Sequence, residues 1–389
     1  MLKKLGKGLS PDIIRYEKSN EFITNAMRNY TRNLDLPSLD EEERERLERE
    51  VILEEVSNSV KSMKHGSAPG SDGLPVEFYK VFWRYLKDPL MKCYKYSYEC
   101  DVLSPSERVA VISLFHKGSD LASDNLNNWR PISLTNVDYK ILAKVMSLRL
   151  NSVINKLIGL QQVGFMKGRN IALIHRQIDD LLNIQRRNNA AGILLAIDFK
   201  QAFDTISIEC ILNSLKIFGF GDNYIKWIKI LNTDRLSCVK NGGYVSETFK
   251  LSNGVRQGCP ISPQLFILAV ELLAQKIIQD PEIKGLNPHH NQQPKKIEQY
   301  ADDTSLYLKD VNDLKRALAH LREFSIFSNL HLNLDKCFAL SANGAPCNIG
   351  NIPIQFKNTI KILGIYFSHL SPARYIELNW VKRIDHVKR

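Results

Sequence analysis

Apolar residues along the chain follow two periods, one typical of helices and one typical of buried strands. Ile141, Val145 and Leu148 recur every three or four residues, which predicts an amphipathic helix over 139–150. The run ILLAI at 193–197 is short, continuous and apolar and ends at Asp198, as expected of a buried strand. Further helices are predicted over 76–98, 171–188, 207–232 and 264–278, and around Leu314, Leu318, Leu321 and Phe324. Together these patterns predict an α+β fold.

Polar residues predict where several elements begin and turn. Ser38 and Glu41 have the spacing of a capping box and predict a helix that continues to the neighbourhood of Gly66. Its expected buried positions are Leu47, Val51, Leu53 and Val56. Residues 66–75 (GSAPGSDGLP) are rich in Gly and Pro and predict a loop.

Two hairpins and a later strand complete the predicted elements. Asn241-Gly242 lies between two β-prone stretches, as in a hairpin with a two-residue turn. A second hairpin is predicted from 297–300 and 305–308, with Asp302 and Asp303 at its tip. Residues 362–367 (ILGIYF) predict a strand.

Composition and charge narrow the possible functions. Of 389 residues, 44% are hydrophobic and 24% charged, which argues against disorder and against a fibrous chain. The net charge is 53 − 42 = +11 and the sequence pI is near 9.2, which favours a polyanionic partner. A basic soluble protein without such a partner remains an alternative.

Cysteines and apolar runs indicate the compartment. The seven cysteines are odd in number and contain no C-x-x-C pair, so neither a disulfide framework nor a zinc site is predicted. The first ten residues, MLKKLGKGLS, lack the apolar run of a secretory signal. The longest apolar stretch, 265–270, is far shorter than the ~20 residues of a membrane span. We therefore expect a soluble protein in a reducing compartment, with no membrane partner.

Three carboxylates are candidates for metal chemistry. Asp198 leaves a buried strand, and Asp302 and Asp303 are adjacent at a predicted hairpin tip. Removing neighbouring carboxylates from water is costly unless a cation compensates them, and Mg²⁺ prefers oxygen ligands. Two such ions about 3.5–4 Å apart support phosphoryl transfer. For an isolated pair of aspartates, a polar turn is the alternative interpretation.

The residues around these carboxylates carry a family resemblance. Residues 300–303 (YADD) resemble the Y-A-D-D signature of reverse transcriptases, and 196–206 (AIDFKQAFDTI) resemble the first catalytic block of that family. Residues 253–263 (NGVRQGCPISP) lie between them in the chain. This third block is similar to the R-Q-G-x-x-x-S-P block of non-LTR, LINE-type retrotransposons, whereas group II intron proteins typically show P-Q-G. The chain therefore resembles the non-LTR reverse transcriptases.

The resemblance extends over roughly residues 60 to 370. Other similar blocks are 66–80, 114–120, 128–145, 164–171, 332–337 and 363–368. It implies a right-hand polymerase architecture with fingers and palm and an absent or truncated thumb. The implied regions are an N-terminal extension with an acidic helix (1–65), fingers (66–190), a palm with the carboxylates (191–345), and a primer-grip strand with the start of the thumb connection (346–389).

The resemblance also implies roles for individual residues. Asp198, Asp302 and Asp303 would be catalytic and, with the carbonyl of Phe199, would bind two Mg²⁺ ions, for which Mn²⁺ is a possible substitute. The implied nucleotide-binding residues are Lys117 and Arg130 on the triphosphate, Phe203 as steric gate, Gln257 and Gly258 in the pocket, and Lys336 as proton donor to pyrophosphate. The implied template and primer contacts are Lys167, Arg169, Arg256, Leu363 and Gly364.

Some of these residues have a structural alternative. For Phe203 the alternative is core packing, and for the lone cations it is an ordinary basic surface. Asp204 and Asp72 lie in similar motifs, and we expect structural hydrogen bonds from them rather than chemistry.

The function implied is RNA-directed DNA synthesis, in which a DNA primer or target DNA is extended with dNTPs on an RNA template. The alternative is a catalytically silent relic that only binds nucleic acid. Nothing in residues 1–60 predicts an endonuclease, and the chain ends soon after the primer-grip strand, so we expect a fragment or a truncated element. Target-primed synthesis would make the nucleus the working compartment, with the cytoplasm as the alternative.

Overall fold

Helices and short strands alternate along the chain in this computed structural model. The structure describes residues 19–117, 128–288, 293–344, 352–368 and 376–381. The α-helices are Asn20–Thr31, Glu41–Glu48, Leu53–Ser62, Val76–Val81, Trp83–Glu99, Pro105–Arg108, Val137–Asn151, Ile154–Leu157, Ile171–Arg187, Ala202–Thr205, Ile208–Ile217, Asp222–Asn232, Ser262–Gln279 and Val311–Ser328. A 3₁₀ turn covers Leu334–Lys336 and a π-helical turn covers Glu377–Val381.

The strands are short. They are β1 (Val109–His116), β2 (Trp129–Thr135), β3 (Ile193–Ile197), β4 (Leu236–Asn241), β5 (Tyr244–Val245), β6 (Phe249–Lys250), β7 (Ile297–Tyr300), β8 (Asp303–Leu308), β9 (Phe338–Ser341), β10 (Gln355–Phe356), β11 (Thr359–Ile362) and β12 (Ile365–Ser368). The mixture confirms the predicted α+β class. No helix in the described ranges has the length and apolarity to cross a membrane.

The chain forms two compact units, each built from separated segments. Among the described residues, the first unit comprises 19–25, 37–117, 128–157 and 203–266, and the second comprises 26–36, 158–202, 267–288, 293–344, 352–368 and 376–381. The four-region division of the chain given above stays a prediction.

The first unit contains a sheet in the order β2-β1-β4-β5, with β6 also paired to β4. β1 pairs antiparallel with β2 and parallel with β4. The predicted hairpin is present, but Asn241 pairs directly with Tyr244, so the two turn residues are Gly242 and Gly243. Their φ angles of 56° and 85° suit a tight hairpin turn, which explains the glycine pair.

The second unit is built around a sheet in the order β10-β9-β3-β8-β7. The predicted strand 193–197 is its central strand β3, and the predicted hairpin 297–308 supplies β7 and β8. Helix Ile171–Arg187 packs its buried residues against this sheet and against the separate hairpin β11–β12. The shared core includes Ile174, Ile178, Leu181, Leu182, Leu194, Tyr307, Leu340, Ile360, Ile362 and Phe367.

The helix Glu41–Glu48 differs from the helix predicted to begin at Ser38 in its start and its length. Asp40, not Ser38, caps it: its carboxylate accepts a hydrogen bond from Glu43 N at 2.9 Å, and Glu43 accepts one from Asp40 N at 3.0 Å. The helix ends at Glu48, and a second one begins at Leu53. Leu47 and Val56 are buried as expected. Val51 and Leu53 are only half-buried because they lie at the break.

Four other expectations need correction. Residues 362–367 are not one strand but part of a hairpin, because Leu363 and Gly364 have φ angles of 47° and 87° and form its turn. The stretch 207–232 is two helices interrupted near Gly219, whose φ is 85°, and 76–98 is interrupted at Phe82. Leu148 is 41% exposed, although its helix forms as predicted.

Candidate active site

Asp198 stands at the exit of the central strand β3. Its side-chain Oδ2 accepts a hydrogen bond from Asn333 Nδ2 at 2.9 Å, and its carbonyl oxygen accepts one from Asn333 N at 2.8 Å. Asn333 thus fixes both the backbone and the carboxylate of Asp198. Sequence reasoning missed Asn333, although it lies three residues before Lys336 in a block that was noted.

Asp302 and Asp303 lie at the β7–β8 turn, where Tyr300 pairs with Asp303. Ala301 has a φ of 59°, a conformation that costs energy for a residue with a Cβ. Gln162 holds it there, because its Oε1 accepts hydrogen bonds from Ala301 N and Gly164 N, both at 2.9 Å. A Cβ on Gly164 would lie 2.3 Å from Ala301 N, so only glycine fits. Gln162 was also missed by sequence reasoning.

The sheet brings the three carboxylates together. Ile197 pairs with Thr304, so Asp198 and Asp303 are the next residues on adjacent antiparallel strands. Both line one cavity of about 400 Å³. Desolvation of the Asp303 carboxyl group, with the charges of Asp302 and Asp198, raises its pKa to about 6. The strand pairing thus places together residues about a hundred positions apart in the chain.

The donor set fits a hard divalent cation. In the described part of the chain no three His, Cys, Asp or Glu side chains form a ready-made metal cage. Mg²⁺ does not require one, since it is usually bound by one or two carboxylates together with waters and substrate phosphates. Desolvation and the repulsion from Asp302 and Asp198 together raise the pKa of Asp303, and a bound cation would relieve this repulsion. The ring of Phe199 is buried, and a β-bridge to Leu332 fixes its backbone. The main-chain carbonyl oxygen is therefore the atom that Phe199 could offer to a cation.

The two candidate triphosphate ligands belong to the first unit, one on strand β2 and the other directly after its partner β1. Lys117 directly follows β1, and its N–H donates to Asn128 O at 2.8 Å. Arg130 on β2 is paired with Phe115 of β1. Both Lys117 and Arg130 are exposed, as a phosphate-binding cation must be.

The block with Gln257 and Gly258 packs against β2 within the same unit. Gln257 O accepts a hydrogen bond from Ser133 N at 2.8 Å. Gly258 has a φ of 108°, and a Cβ there would lie 2.9 Å from Ser133 O, which explains the glycine. Gln257 Nε2 donates to both carboxylate oxygens of Asp204 at 3.0 and 3.1 Å. Asp204 therefore has the structural role that was expected.

Phe203 stacks on Phe266, with ring centroids 4.4 Å apart and planes 17° apart. It is half-buried, and its carbonyl oxygen accepts a hydrogen bond from Val255 N at 2.7 Å. This packing accommodates either role considered for Phe203, so the steric gate stays a prediction.

Two arginines expected to contact template or primer are turned toward the protein backbone. Arg256 is 3% exposed, donates to the carbonyls of Arg108 and Leu236, and lies over the ring of Tyr139. Such a buried guanidinium cannot touch a template directly, so that assignment is corrected.

Arg169 is similarly engaged. Its guanidinium donates to Gln162 O at 2.6 Å, to Ile158 O at 2.9 Å and to Gly159 O. It therefore orders the loop that supports Ala301, while its side chain is only half-buried, so a template or primer contact stays a prediction.

The remaining predicted residues keep accessible positions. Lys167 and Lys336 are exposed, and Lys336 lines the cavity that holds Asp198 and Asp303. Leu363 and Gly364 form the β11–β12 turn, and Leu363 also lines that cavity. Asp72 accepts a hydrogen bond from Leu74 N at 3.0 Å, a turn contact that confirms its expected structural role.

Comparison with known proteins decides the family. The family model described as "Reverse transcriptase (RNA-dependent DNA polymerase)" matches residues 116–367. The chain belongs to this reverse transcriptase family. Its sheets and surrounding helices are accordingly the fingers and palm fold of a polymerase, as expected from the sequence.

Curated relatives of this reverse transcriptase domain come from mobile elements. A Xenopus laevis "Transposon TX1 uncharacterized 149 kDa protein" is 32% identical over 86% of this chain and 26% of its own length. A Popillia japonica Pol polyprotein from the type-1 retrotransposable element R2 is 24% identical over 87% of this chain and 48% of its own length. The chain thus spans between about a quarter and a half of these two relatives. They confirm the expected resemblance to non-LTR retrotransposons.

Proposed function

We propose that this domain extends a DNA primer with dNTPs on an RNA template. The observation that carries the proposal is the meeting of Asp198 with Asp302 and Asp303 across adjacent strands, beside a cavity of about 400 Å³. Carboxylates that repel one another at the edge of an accessible cavity are suited to hold cations for phosphoryl transfer.

The reaction forms a bond between the primer 3′-oxygen and the α-phosphorus of the dNTP and breaks the bond from that phosphorus to the bridging oxygen of the β-phosphate. Asp198, Asp302, Asp303 and the Phe199 carbonyl would hold two Mg²⁺ ions, which Mn²⁺ could replace. Bound there, such ions supply Lewis acidity for the 3′-hydroxyl and for the phosphate oxygens. The 3′-hydroxyl proton leaves to solvent, and pyrophosphate departs.

The chain's own cations complete this scheme. Lys117 and Arg130 would stabilise the negative charge that develops on the leaving phosphates, a role that exposed ammonium and guanidinium groups suit. Lys336, on the wall of the cavity, would donate a proton to the departing pyrophosphate. Phe203 would lie beneath the incoming sugar and exclude a 2′-hydroxyl.

Primer extension tests the proposal. The purified chain is incubated with oligo(dT) annealed to poly(rA), dTTP and Mg²⁺, and the products are resolved by length. We expect extension that stops when EDTA is added and resumes with excess Mg²⁺. A folded chain that binds this hybrid but adds no nucleotide, with either Mg²⁺ or Mn²⁺, would refute the proposal and leave the nucleic-acid-binding relic.

A further inference from the structure

Two arginines of the first unit are buried close to each other. Arg235 directly precedes β4, and Arg256 directly precedes Gln257; both side chains are buried. Burial, and after it the charge of Arg256, lowers the pKa of Arg235 to about 10. Two like charges are costly to remove from water together, so the contacts of these guanidinium groups must offset that cost.

The hydrogen bonds of the two guanidinium groups run in opposite directions between the same two segments. Arg235 donates to Gly254 O at 2.7 Å and to Asn253 O at 3.2 Å. Arg256 donates back to Leu236 O at 3.2 Å, in the residue that follows Arg235. The start of β4 and the segment 253–256 therefore hold each other.

Arg256 has two further contacts. Its guanidinium donates to Arg108 O, next to the first residue of β1, and its Cζ lies 5.2 Å from the centroid of the Tyr139 ring. A planar guanidinium can serve two carbonyl oxygens and a ring face at once, whereas an ammonium group does not have that shape. The contacts of Arg256 thus depend on the shape of the group as well as on its charge.

The segment 253–256 also packs against the chain around Phe203. Gly254 N donates to Ile206 O at 2.8 Å, and Val255 N donates to Phe203 O at 2.7 Å. A Cβ on Gly254 would lie 2.4 Å from Asp204 O, so the two backbones are in close contact. A displacement of the segment would therefore also displace the backbone of Phe203.

Three candidate nucleotide-binding residues thus depend on this segment. These pocket residues are Phe203, Gln257 and Gly258. Gln257 follows the segment directly, and its carbonyl oxygen is held by Ser133 N of β2 at 2.8 Å. The buried arginines cannot contact a nucleotide themselves, but they fix the backbone that carries residues which could.

We propose that Arg235 and Arg256 are positioning residues for dNTP binding, because they fix the segment 253–256 on which the pocket residues depend. This proposal rests on the proposed function, since it assumes that the pocket residues face a dNTP. It gives Arg256 a role inside the protein and adds Arg235, which lies outside the similar blocks of the sequence.

Lysine substitutions test the shape of the groups separately from their charge. The variants are Arg256→Lys and Arg235→Lys, and Arg84→Lys is the matched control. Arg84 is an exposed arginine of the same unit whose guanidinium also lies near a tyrosine ring. Primer extension on the oligo(dT)·poly(rA) hybrid gives the KM for dTTP, and fluorescence anisotropy of the labelled hybrid gives its Kd.

We expect each buried variant to raise the KM for dTTP about 10-fold, because small displacements of pocket residues weaken nucleotide binding. The hybrid Kd should stay unchanged, and the control should match wild type in both quantities. A wild-type KM in both buried variants would overturn the proposal. A weaker hybrid Kd with an unchanged KM would overturn it in favour of a nucleic-acid contact.

Cysteine alkylation measures the same displacement without catalysis. Cys259 directly follows Gly258 and is buried, with its Sγ 3.4 Å from the Tyr139 hydroxyl oxygen. Cys210, buried elsewhere in the first unit, is the internal reference. Peptide mass spectrometry follows the reaction of each thiol with iodoacetamide. We expect Cys259 to react about 10-fold faster in both buried variants and Cys210 to be unaffected, because only the local structure opens. Equal acceleration at both thiols would indicate general destabilisation and overturn the positioning role.

A primer that cannot be extended separates this proposal from the proposed function. With a dideoxynucleotide at the primer 3′ end, the dTTP concentration that stabilises the complex against competitor hybrid gives the dTTP affinity. This concentration should rise about 10-fold in Arg256→Lys and Arg235→Lys. An inactive wild type whose dTTP binding depends on the arginines would refute only the proposed function. An active wild type whose arginine variants bind dTTP normally would refute only the role of the arginines.

Discussion

Burial raises the pKa values of two carboxyl groups of the second unit, those of Glu271 and Asp303, but the groups around them differ. Burial raises the pKa of Glu271 to about 7, although its carboxylate accepts hydrogen bonds from Gln161 Nε2 at 2.8 and 2.9 Å, Gly159 N at 3.1 Å and Gln275 Nε2 at 2.7 Å. Burial raises the pKa of Asp303 to about 6, and there the charges of Asp302 and Asp198 act in the same direction.

The difference lies in what surrounds each carboxylate. Glu271 is fully buried, protein hydrogen-bond donors surround its carboxylate, and the charge of Arg169 acts on it, so the protein itself supplies the groups that favour its ionised form. The charged groups that act on Asp303 are two further acids, Asp302 and Asp198, so a bound cation would stabilise its ionised carboxylate. A raised pKa therefore does not by itself identify a functional site, whereas the charges around the group help to distinguish the two cases.

The two regions are nevertheless connected through the chain. Glu271 fixes Gly159 and Gln161, and the neighbouring Gln162 holds Ala301 in the turn that carries Asp302. We infer that Glu271 supports the geometry of the carboxylate turn, while the aspartates themselves perform the chemistry. The following predictions test this division.

The largest expected effect is on catalysis. Asp198→Asn or Asp302→Asn should reduce nucleotide incorporation by at least about 1,000-fold, because a neutral amide binds a hard cation poorly. Thermal unfolding should change little, since the side-chain shape is retained. Primer extension rates under single-turnover conditions provide the measurement.

Asp335→Asn is the matched control. Asp335 is exposed in the 3₁₀ turn next to Lys336 and does not line the cavity, so this variant should keep wild-type rates. More than a few per cent of activity in the Asp198 or Asp302 variant would contradict the two-metal assignment.

Glu271→Ala should mainly affect stability. It removes the acceptor of buried donors from Gln161, Gly159 and Gln275, and we expect a loss of about 3 kcal/mol in the free energy of unfolding. Urea unfolding measures it. An unchanged stability would show that these donors find other partners and that Glu271 does not organise the loop.

Glu271→Gln should change the pH dependence of stability. The folded-state pKa is raised, so the unfolded chain loses its proton first as pH rises, and the Glu271 contribution to wild-type stability falls between about pH 4.5 and pH 7. We expect the glutamine variant to lack about 2 kcal/mol of this decline. Urea unfolding of both proteins at pH 5 and pH 7.5 checks this prediction. The same change in stability with pH in wild type and variant would show that Glu271 does not have the raised pKa.

The sequence predicted the fold and the candidate reacting groups better than it predicted the residues that hold those groups in place. Strand β3 and the hairpin β7–β8 were predictable because apolar runs and the adjacent aspartates have local signatures. The turn at Leu363 was not predictable, because the apolar residues on both sides of it resemble one continuous strand. The supports Asn333 and Gln162 depend on contacts with residues more than a hundred positions away, and no local pattern reveals these. The burial of Arg256 likewise depends on contacts with residues distant in the sequence, so no local pattern reveals it.

The smallest expected effect concerns Phe203, for which the question of structural or functional role is still open. If its ring lies beneath the incoming sugar, Phe203→Val should admit ribonucleotides and lower the ratio of dNTP to rNTP incorporation efficiency by about 10-fold, or 1.4 kcal/mol. If instead the ring mainly packs on Phe266, its loss should lower stability and reduce the use of both nucleotides equally. Incorporation of dTTP and UTP is measured on the same hybrid, with thermal unfolding in parallel. Phe266→Leu is the control, because it removes the stacking partner but leaves the Phe203 ring. A lowered melting temperature with an unchanged ratio in Phe203→Val would assign Phe203 to the core and remove it from the site.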